Sequence, residues 1–160
     1  MKKLLVFIVM AAVSVLSASA FIDSYTISRD KLPEAAQEML KEHFPKGKVS
    51  MIKIDRHLLK KTDYDVKLVN GTTIEFSNAG KWKSVDCKSR AVPEALVPKA
   101  VRRHVDKNHA GLKIVKIEKK ASGYHIGLSD GKLLKYNHLG HFTGFANAAE
   151  AESEGAEAES

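Results

Sequence analysis

The chain has 160 residues with a single cysteine, which excludes an internal disulfide. Its 26 basic and 19 acidic residues give a formal net charge of +7. Between positions 21 and 145 there are 24 basic and 14 acidic residues, so this part carries +10 and the ends conceal how basic it is. Beyond the first twenty residues no segment is apolar enough to span a bilayer, so no transmembrane anchor is expected there.

Residues 1–20 have the features of a signal peptide. Lys2 and Lys3 form a positive start, the apolar run 4–16 is short for a membrane span, and Ala18-Ser19-Ala20 is a small-x-small cleavage site. The mature chain is therefore expected to begin at Phe21. An uncleaved N-terminal anchor is the alternative. We predict an exported, periplasmic protein, and full secretion remains open.

A helix followed by strands is predicted for the first repeat, residues 27–86. Pro33 suits the first helical position, and apolar residues recur at helical spacing until Pro45 ends the helix. Period-two alternation then predicts strands, and Asn70-Gly71 is a strong hairpin signal. The residues expected to face the core are Leu32, Ala36, Leu40 and Phe44 on the helix, and Ser50, Ile52, Ile54, Tyr64, Val66, Leu68, Ile74, Phe76 and Trp82 on four strands.

The same pattern returns in residues 90–145. Leu32-Pro33-Glu34-Ala35 matches Val92-Pro93-Glu94-Ala95 at an offset of sixty, and the later strands match at that offset with Asp130-Gly131 as the hairpin. The first strand matches at sixty-three, which places three extra residues in the helical part. Pro98 lies too deep for one straight helix, so a turn at 93–97 and a helix from Pro98 to Asn108 are predicted.

Each repeat is thus predicted to be a helical segment packed on a four-stranded antiparallel meander. A unit of about 60 residues is marginal by itself, so the two repeats are expected to share one continuous, eight-stranded sheet. The fold class is α+β. Residues 146–160 contain Ala, Glu, Ser, Gly and one Asn, and they are interpreted as a disordered acidic tail.

The motifs Leu-Pro-x-Ala, Tyr-x-Val-x-Leu, Asn-Gly, x-Ile-x-Phe and Gly-x-Trp, in the order found here, resemble the PepSY-like, β-lactamase-inhibitor-like family of exported proteins from Bacteroides-type bacteria. The resemblance covers about residues 27–145. It implies a periplasmic protein with two α/β repeats. Related PepSY domains are thought to inhibit peptidases or to bind at cell surfaces, and the resemblance supplies no catalytic residues.

If the protein binds a partner, the alternation places the binding residues on the sheet face away from the helices. An ordinary solvated face is the alternative interpretation. The candidates form a broad surface of mixed charge with a few apolar side chains: Met51, Lys53, Asp65, Lys67, Glu75, Lys116, His125, Leu133 and Lys135, with Asp55, Val69, Thr73, Ile114, Glu118 and Ser129 around them.

The sequence gives little support for metal binding or catalysis. His138 and His141 are three apart, and His104 and His109 five apart, but no further ligands complete a metal set. No phosphate loop or nucleophile motif occurs, so neither an enzyme nor a cofactor is expected. Cys87 is interpreted as a small buried residue rather than a reactive thiol.

We therefore predict a noncatalytic exported binding module. Its partner is an unidentified protein or peptide, with a peptidase as one candidate. Attachment to anionic envelope glycans or lipids by charge is the alternative, and a metal-responsive or enzymatic role is a third. Nucleic acid is not expected as a partner, because the protein is exported and its lysines are dispersed. The sequence does not specify an oligomeric state.

Overall fold

The structure is a computed structural model that describes residues 23–56 and 62–146. The predicted signal peptide and, apart from its first residue, the predicted acidic tail lie outside the described residues. The described part contains nine strands in one antiparallel sheet, and their order in the sheet is their order in the chain. This confirms an α+β architecture with a continuous sheet.

The elements have the following bounds. The strands are β1 (Ser24–Thr26), β2 (Val49–Asp55), β3 (Asp63–Leu68), β4 (Thr73–Phe76), β5 (Trp82–Asp86), β6 (Ile114–Lys120), β7 (Gly123–Leu128), β8 (Leu133–Tyr136) and β9 (Phe142–Phe145). The α-helices are α1 (Glu34–His43) and α2 (Lys99–Asn108), and each follows a single 3-10 turn, Arg29–Lys31 and Glu94–Leu96 respectively.

The sheet has one strand more than the eight expected. Strand β1 pairs antiparallel with β2, with Ser24 opposite Ile54 and Thr26 opposite Ile52. Strand β1 was not predicted, because a strand of three residues is too short to show a recognisable period-two alternation. The sheet is therefore extended at its β2 edge.

Prolines determine where both helices start. Pro33 and Pro98 each occupy the position before the first helical residue, with φ of −55° and −54°. Neither helix has a side-chain cap there. Proline leaves one N–H group fewer to be satisfied at the start of a helix, and its fixed φ suits the helical backbone. The predicted turn at 93–97 and the helix ending at Asn108 are confirmed.

The predicted alignment of the repeats was wrong in the helical part. Pro33 corresponds to Pro98 rather than to Pro93, because each precedes a ten-residue helix and follows a 3-10 turn. The offset is therefore sixty-five. The same offset relates β2 to β6, since Ile52 and Ile117 face Val66 and Ile126 respectively, whereas the sequence match had aligned Ile52 with Val115.

The extra residues lie in a hairpin connection rather than in the helical part. Residues 56–62 separate β2 from β3, whereas only residues 121–122 separate β6 from β7. This difference of five residues restores the offset of sixty for the strands that follow, from β3 and β7 onward. Short similarities around proline had suggested a different alignment, because Pro93 also begins a turn.

The core lies between the two helices and one face of the sheet. The core side chains that the sequence placed on α1 and α2 are buried, including Ala36, Leu40, Val101 and Val105. They pack with apolar side chains from strands of both halves in one cluster. The fully buried sheet residues include Ile52, Val66, Ile74, Phe76, Val85, Ile117, Ile126 and Leu134.

Two β-bulges shift residues away from their predicted faces. The register of β2 shifts between Val49 and Met51, and that of β6 shifts between Ile114 and Lys116. Each bulge breaks the alternation at the start of its strand. Ser50 is consequently exposed, whereas Ile114 packs against the core instead of facing solvent. The predicted faces of Ser50 and Ile114 were therefore wrong.

Gly80 should be essential for packing the β4–β5 turn under α1. It has φ of +74°, and a Cβ atom would lie 2.9 Å from the Ala36 nitrogen and 2.9 Å from the Pro33 Cβ atom. Gly131 has φ of +88° but nothing within 4 Å. We expect Gly131→Ala to lower the free energy of unfolding by about 1–2 kcal/mol through backbone strain alone. Gly80→Ala should cost about 1–3 kcal/mol more, because the helix must move.

Urea denaturation of both variants measures this difference. Equal losses of stability in Gly80→Ala and Gly131→Ala would contradict the close approach of the turn to the helix.

Candidate functional site: the open face of the sheet

A row of side chains crosses the sheet face that is opposite the helices. The strand registers align one residue from each strand, and we call these residues the central row. The central row consists of Tyr25, Lys53, Asp65, Glu75, Ser84, Glu118, His125, Lys135 and Gly144. It passes from the first half of the chain to the second without interruption, because β5 pairs with β6.

A second row runs beside the central row, displaced along the strands. Its members are Met51, Lys67, Thr73, Asp86, Lys116, Gly127 and Leu133. All nine predicted site residues lie in one of these two rows. The structure therefore brings them onto one surface, which we call the open face. That they bind a partner stays a prediction.

The wider set of predicted residues divides into three groups. Asp55, Thr73 and Glu118 lie on the open face. Val69 and Ser129 are exposed just beyond the ends of β3 and β7. Ile114 lies on the helix side because of the bulge in β6, and it is therefore removed from the candidate site.

Ion pairs within the open face neutralise many of its charges. The Lys53 ammonium lies 3.2 Å from Asp23 and 3.1 Å from Asp55, and hydrogen bonds to Asp55 and Asp23 hold the pKa of Lys53 above its ordinary value. Glu118 lies 3.4 Å from Lys116 and 3.3 Å from Lys120. Such pairs add little stability at a surface, but they leave charges of both signs in fixed positions.

Asp65 and Glu75 interrupt this pattern. They are direct cross-strand partners of the same charge, an arrangement that destabilises a sheet. Neither carboxylate forms an ion pair with another residue in the described ranges 23–56 and 62–146. Burial raises the pKa of Asp65 and the Glu75 carboxylate raises it further, while Lys53 offsets part of the effect. The open face thus holds two carboxylates that repel each other.

His125 lies in the central row but does not reach solvent. Its exposed fraction is only 3%, although the sequence placed it on an accessible surface. Its strand neighbours are Glu118 and Lys135. Period-two alternation predicts the face of a residue but not how exposed the residue is on that face. The buried imidazole is therefore not accessible for direct contact with a partner.

The other histidines that the sequence singled out make contacts that do not involve a metal site. His138 Nε2 lies 2.8 Å from the Ala121 carbonyl oxygen, and His104 Nδ1 lies 2.8 Å from the Tyr136 hydroxyl. Within residues 23–56 and 62–146 no group of three or more His, Cys, Asp or Glu side chains is arranged to hold a metal ion. Cys87 is buried as predicted, and burial raises the pKa of its thiol.

Sequence analysis missed an aromatic cluster at the β9 edge. The His104 ring stacks on Phe142 at 4.8 Å between centroids, and Phe142 meets Phe145 edge to face at 5.4 Å. Burial raises the pKa of the neighbouring Tyr136 to about 12. The Phe142 and Phe145 rings remain 37% and 59% exposed. Helix α2 is tied to the last strand by these contacts, which a linear pattern cannot reveal.

A sequence profile identifies the family of the chain. The profile of the β-lactamase-inhibitor-like, PepSY-like family matches residues 21–61 and 62–143. The chain belongs to this family. A match in two segments indicates tandem repeats, but the boundary between the segments lies inside the first predicted repeat, so the predicted bounds 27–86 and 90–145 stay a prediction.

Solved structures of Bacteroides proteins share the fold. A periplasmic protein of unknown function from Bacteroides vulgatus is 38% identical, with a TM-score of 0.75 over 79% of this chain and all of that one. A second B. vulgatus periplasmic protein is 35% identical, with a TM-score of 0.71 over 78% and 97% of the two chains. A protein from Bacteroides thetaiotaomicron, described as a proposed calcium-regulated periplasmic protein, is 32% identical, with a TM-score of 0.73 over 78% and 97%.

These relatives confirm the predicted family and the predicted periplasmic localisation. Among the described residues, no helix is long and apolar enough to cross a membrane. No curated protein matches the chain significantly.

The repulsion between Asp65 and Glu75 should be measurable as lost stability. Because the folded-state pKa of Asp65 is raised, its ionised form destabilises the fold at neutral pH, and this penalty disappears as pH falls through that pKa. Asp65→Asn should raise the free energy of unfolding by about 0.5–1 kcal/mol at pH 7. The gain should shrink as the pH is lowered and Asp65 becomes protonated in the folded protein, and urea denaturation at a series of pH values measures it.

Asp63→Asn is the matched control on the same strand. Asp63 lies 3.2 Å from the Lys83 ammonium, so its replacement removes an attraction and should give no gain. An Asp65→Asn variant that is less stable than the parent at pH 7 would contradict the assigned repulsion.

Proposed function

We propose that this PepSY-like protein is a noncatalytic periplasmic binding module whose open face engages a protein or peptide. The observation that carries the proposal is the pair Asp65 and Glu75, two like charges opposite each other on an uncovered sheet face. A sequence that only stabilised the fold would place opposite charges or a neutral pair there. Surface groups that lower the stability of a protein are typical of sites that bind a partner.

The chemistry of the open face favours a basic group on the partner. An arginine or lysine side chain placed between Asp65 and Glu75 would relieve their repulsion and form charge-assisted hydrogen bonds. Met51, 36% exposed, and the half-buried Leu133 offer apolar contacts in the second row. The ion pairs around Lys53 and Glu118 hold the remaining charges in fixed positions, which favours specificity over affinity.

A peptidase is one candidate partner. Its support is the inhibitor-like description of the family to which the chain belongs. Fold alone does not transfer an activity, so the proposal rests on the open face and not on the description of the family.

We also propose that residues 27–86 and 90–145 are two copies of one unit. Each copy would contain one ten-residue helix and four strands, α1 with β2–β5 and α2 with β6–β9. The equal lengths of α1 and α2, of β2 and β6, and of β3 and β7 support this division. Residues 1–20 would be the signal peptide that directs export.

Binding of anionic envelope glycans or lipids is the second candidate function. The observation in its favour is an exposed basic stripe on α2, formed by Lys99, Arg103 and Lys107 at intervals of four residues. This stripe lies on the helix side, whereas the open face carries both signs of charge. The two candidate functions therefore use opposite sides of the protein and can be separated.

Site-specific photo-crosslinking in the native host tests the open face. A photoreactive residue at Met51 or Lys67, both exposed on the open face, should trap the same partner protein. Glu38 and Lys41, exposed on α1, are the matched control positions and should trap nothing. In an Asp65→Asn, Glu75→Gln background the crosslink should weaken at least ~10-fold, because the charge-assisted contacts are lost.

The outcomes separate the two functions. Crosslinks of equal strength from α1, or none from the open face, would overturn the proposal. Retention on dextran sulfate beads tests the alternative: reversing Lys99, Arg103 and Lys107 to Glu should abolish salt-sensitive retention if the α2 stripe binds polyanions. Reversing Lys67, Lys116 and Lys135 changes the same amount of charge and should then leave retention in place.

A further inference from the structure

A cleft lies on the helix side of the second half, beneath α2. Its volume is about 260 Å³. Its lining combines charged residues with apolar side chains, and the apolar ones include Val92, Val97, Val105, Leu112 and Ile114. This volume lies just below the range of about 300–1,000 Å³ found for drug-sized ligands, so the cleft suits a ligand the size of an amino acid.

Arg102 places a guanidinium group at this cleft with capacity for a further acceptor. Its Nη1 donates to Glu94 Oε2 at 2.9 Å, but the Glu94 side chain is 84% exposed, so this contact is readily exchanged. The Arg102 Nε atom is buried and has no hydrogen-bond partner within the described part of the chain. A buried donor without an acceptor is costly, and a ligand carboxylate would satisfy it.

Three charged residues of alternating sign line the cleft. Glu94 and Asp106 are acidic, and Arg102 lies between them in sequence, one helical turn before Asp106. A simple anion would be attracted by Arg102 and repelled by its two neighbours. A zwitterion satisfies all three, with its carboxylate on the guanidinium and its ammonium on a carboxylate.

In the first half of the chain, the side chains at the equivalent positions make different contacts. At the offset of sixty-five, Arg29 stands for Glu94 and Gln37 for Arg102. The Arg29 guanidinium donates to the Gly47 carbonyl oxygen and thereby joins the 3-10 turn to the loop that follows α1. Gln37 Nε2 donates to the Leu32 carbonyl oxygen at 2.9 Å. Both side chains are thus used by the backbone, whereas their counterparts in the second half face a cleft.

We propose that the cleft under α2 binds a zwitterion with an aliphatic side chain, either a free amino acid or a dipeptide. The carboxylate binds Arg102, the ammonium binds Asp106 or Glu94, and the side chain enters the apolar walls. The cleft lies on the opposite side of the sheet from the open face, so this inference stands independently of the proposed function.

Methyl NMR titration of the full chain tests the inference. With L-leucine, the methyl signals of Val97, Val105 and Leu112 should shift with a Kd on the order of 1 mM, as expected for a ligand of about nine heavy atoms. The methyl signals of Leu40 and Val49, at the equivalent positions of the first half, should not shift. 4-Methylpentanoate lacks the ammonium and 3-methylbutylamine lacks the carboxylate, and each should bind at least ~10-fold more weakly.

Arg102→Gln supplies the residue found at position 37 and should weaken leucine binding ~10-fold or more. Arg103→Gln is the matched control, because it removes the same charge from an exposed neighbour on the same helix. Glycyl-leucine distinguishes the two kinds of ligand. If it binds more tightly than leucine, the ligands are dipeptides; if it binds more weakly, they are free amino acids. Absence of shifts with both leucine and glycyl-leucine, equal shifts at Leu40 and Val49, or unchanged binding in Arg102→Gln would each overturn the inference.

Discussion

The pairing of β5 with β6 is the interaction on which the rest of the structure depends. It joins the two halves through three residue pairs, Ser84 with Glu118, Val85 with Ile117, and Asp86 with Lys116. Val85 and Ile117 are fully buried under the helices, so the junction is also the centre of the core. A half of about 60 residues buries too little surface to be stable by itself, and the junction lets both halves share one core.

The same junction also determines how the side chains of the open face are arranged. Because the sheet is continuous, the central row crosses nine strands and brings Asp65 and Glu75 of the first half into line with Lys135 of the second. Both helices pack on the other side of the sheet, where their apolar faces contribute to the core. The two halves differ in the contacts beside their helices. Arg29 bonds to the backbone in the first half, whereas its counterpart Glu94 lines a cleft in the second.

Much of this fold could be predicted from the sequence, because its elements carry strong periodic signals. The apolar face of α1, the start of α2 after Pro98 and the two faces of the central strands all follow from local chemistry. What could not be predicted depends on neighbours. The bulges move Ile114 and Ser50, and the offset of sixty-five was hidden by the chance similarity around Pro93. The burial of His125 has no signal in the alternation of its strand. The cleft could not be predicted either, because the equivalence of Arg29 and Glu94, and the difference between their contacts, are visible only in the folded structure.

Native-state hydrogen exchange on the full chain tests the central claim most directly. If the β5–β6 junction holds one shared core, its hydrogen-bonded amides should exchange only through global unfolding, with the same free energy of opening as the amides of β3 and β7. The account would be contradicted if the junction amides exchanged through a lower-energy opening while β3 and β7 stayed protected. In that case the halves would be stable separately, and neither the open face nor its central row would exist as one surface.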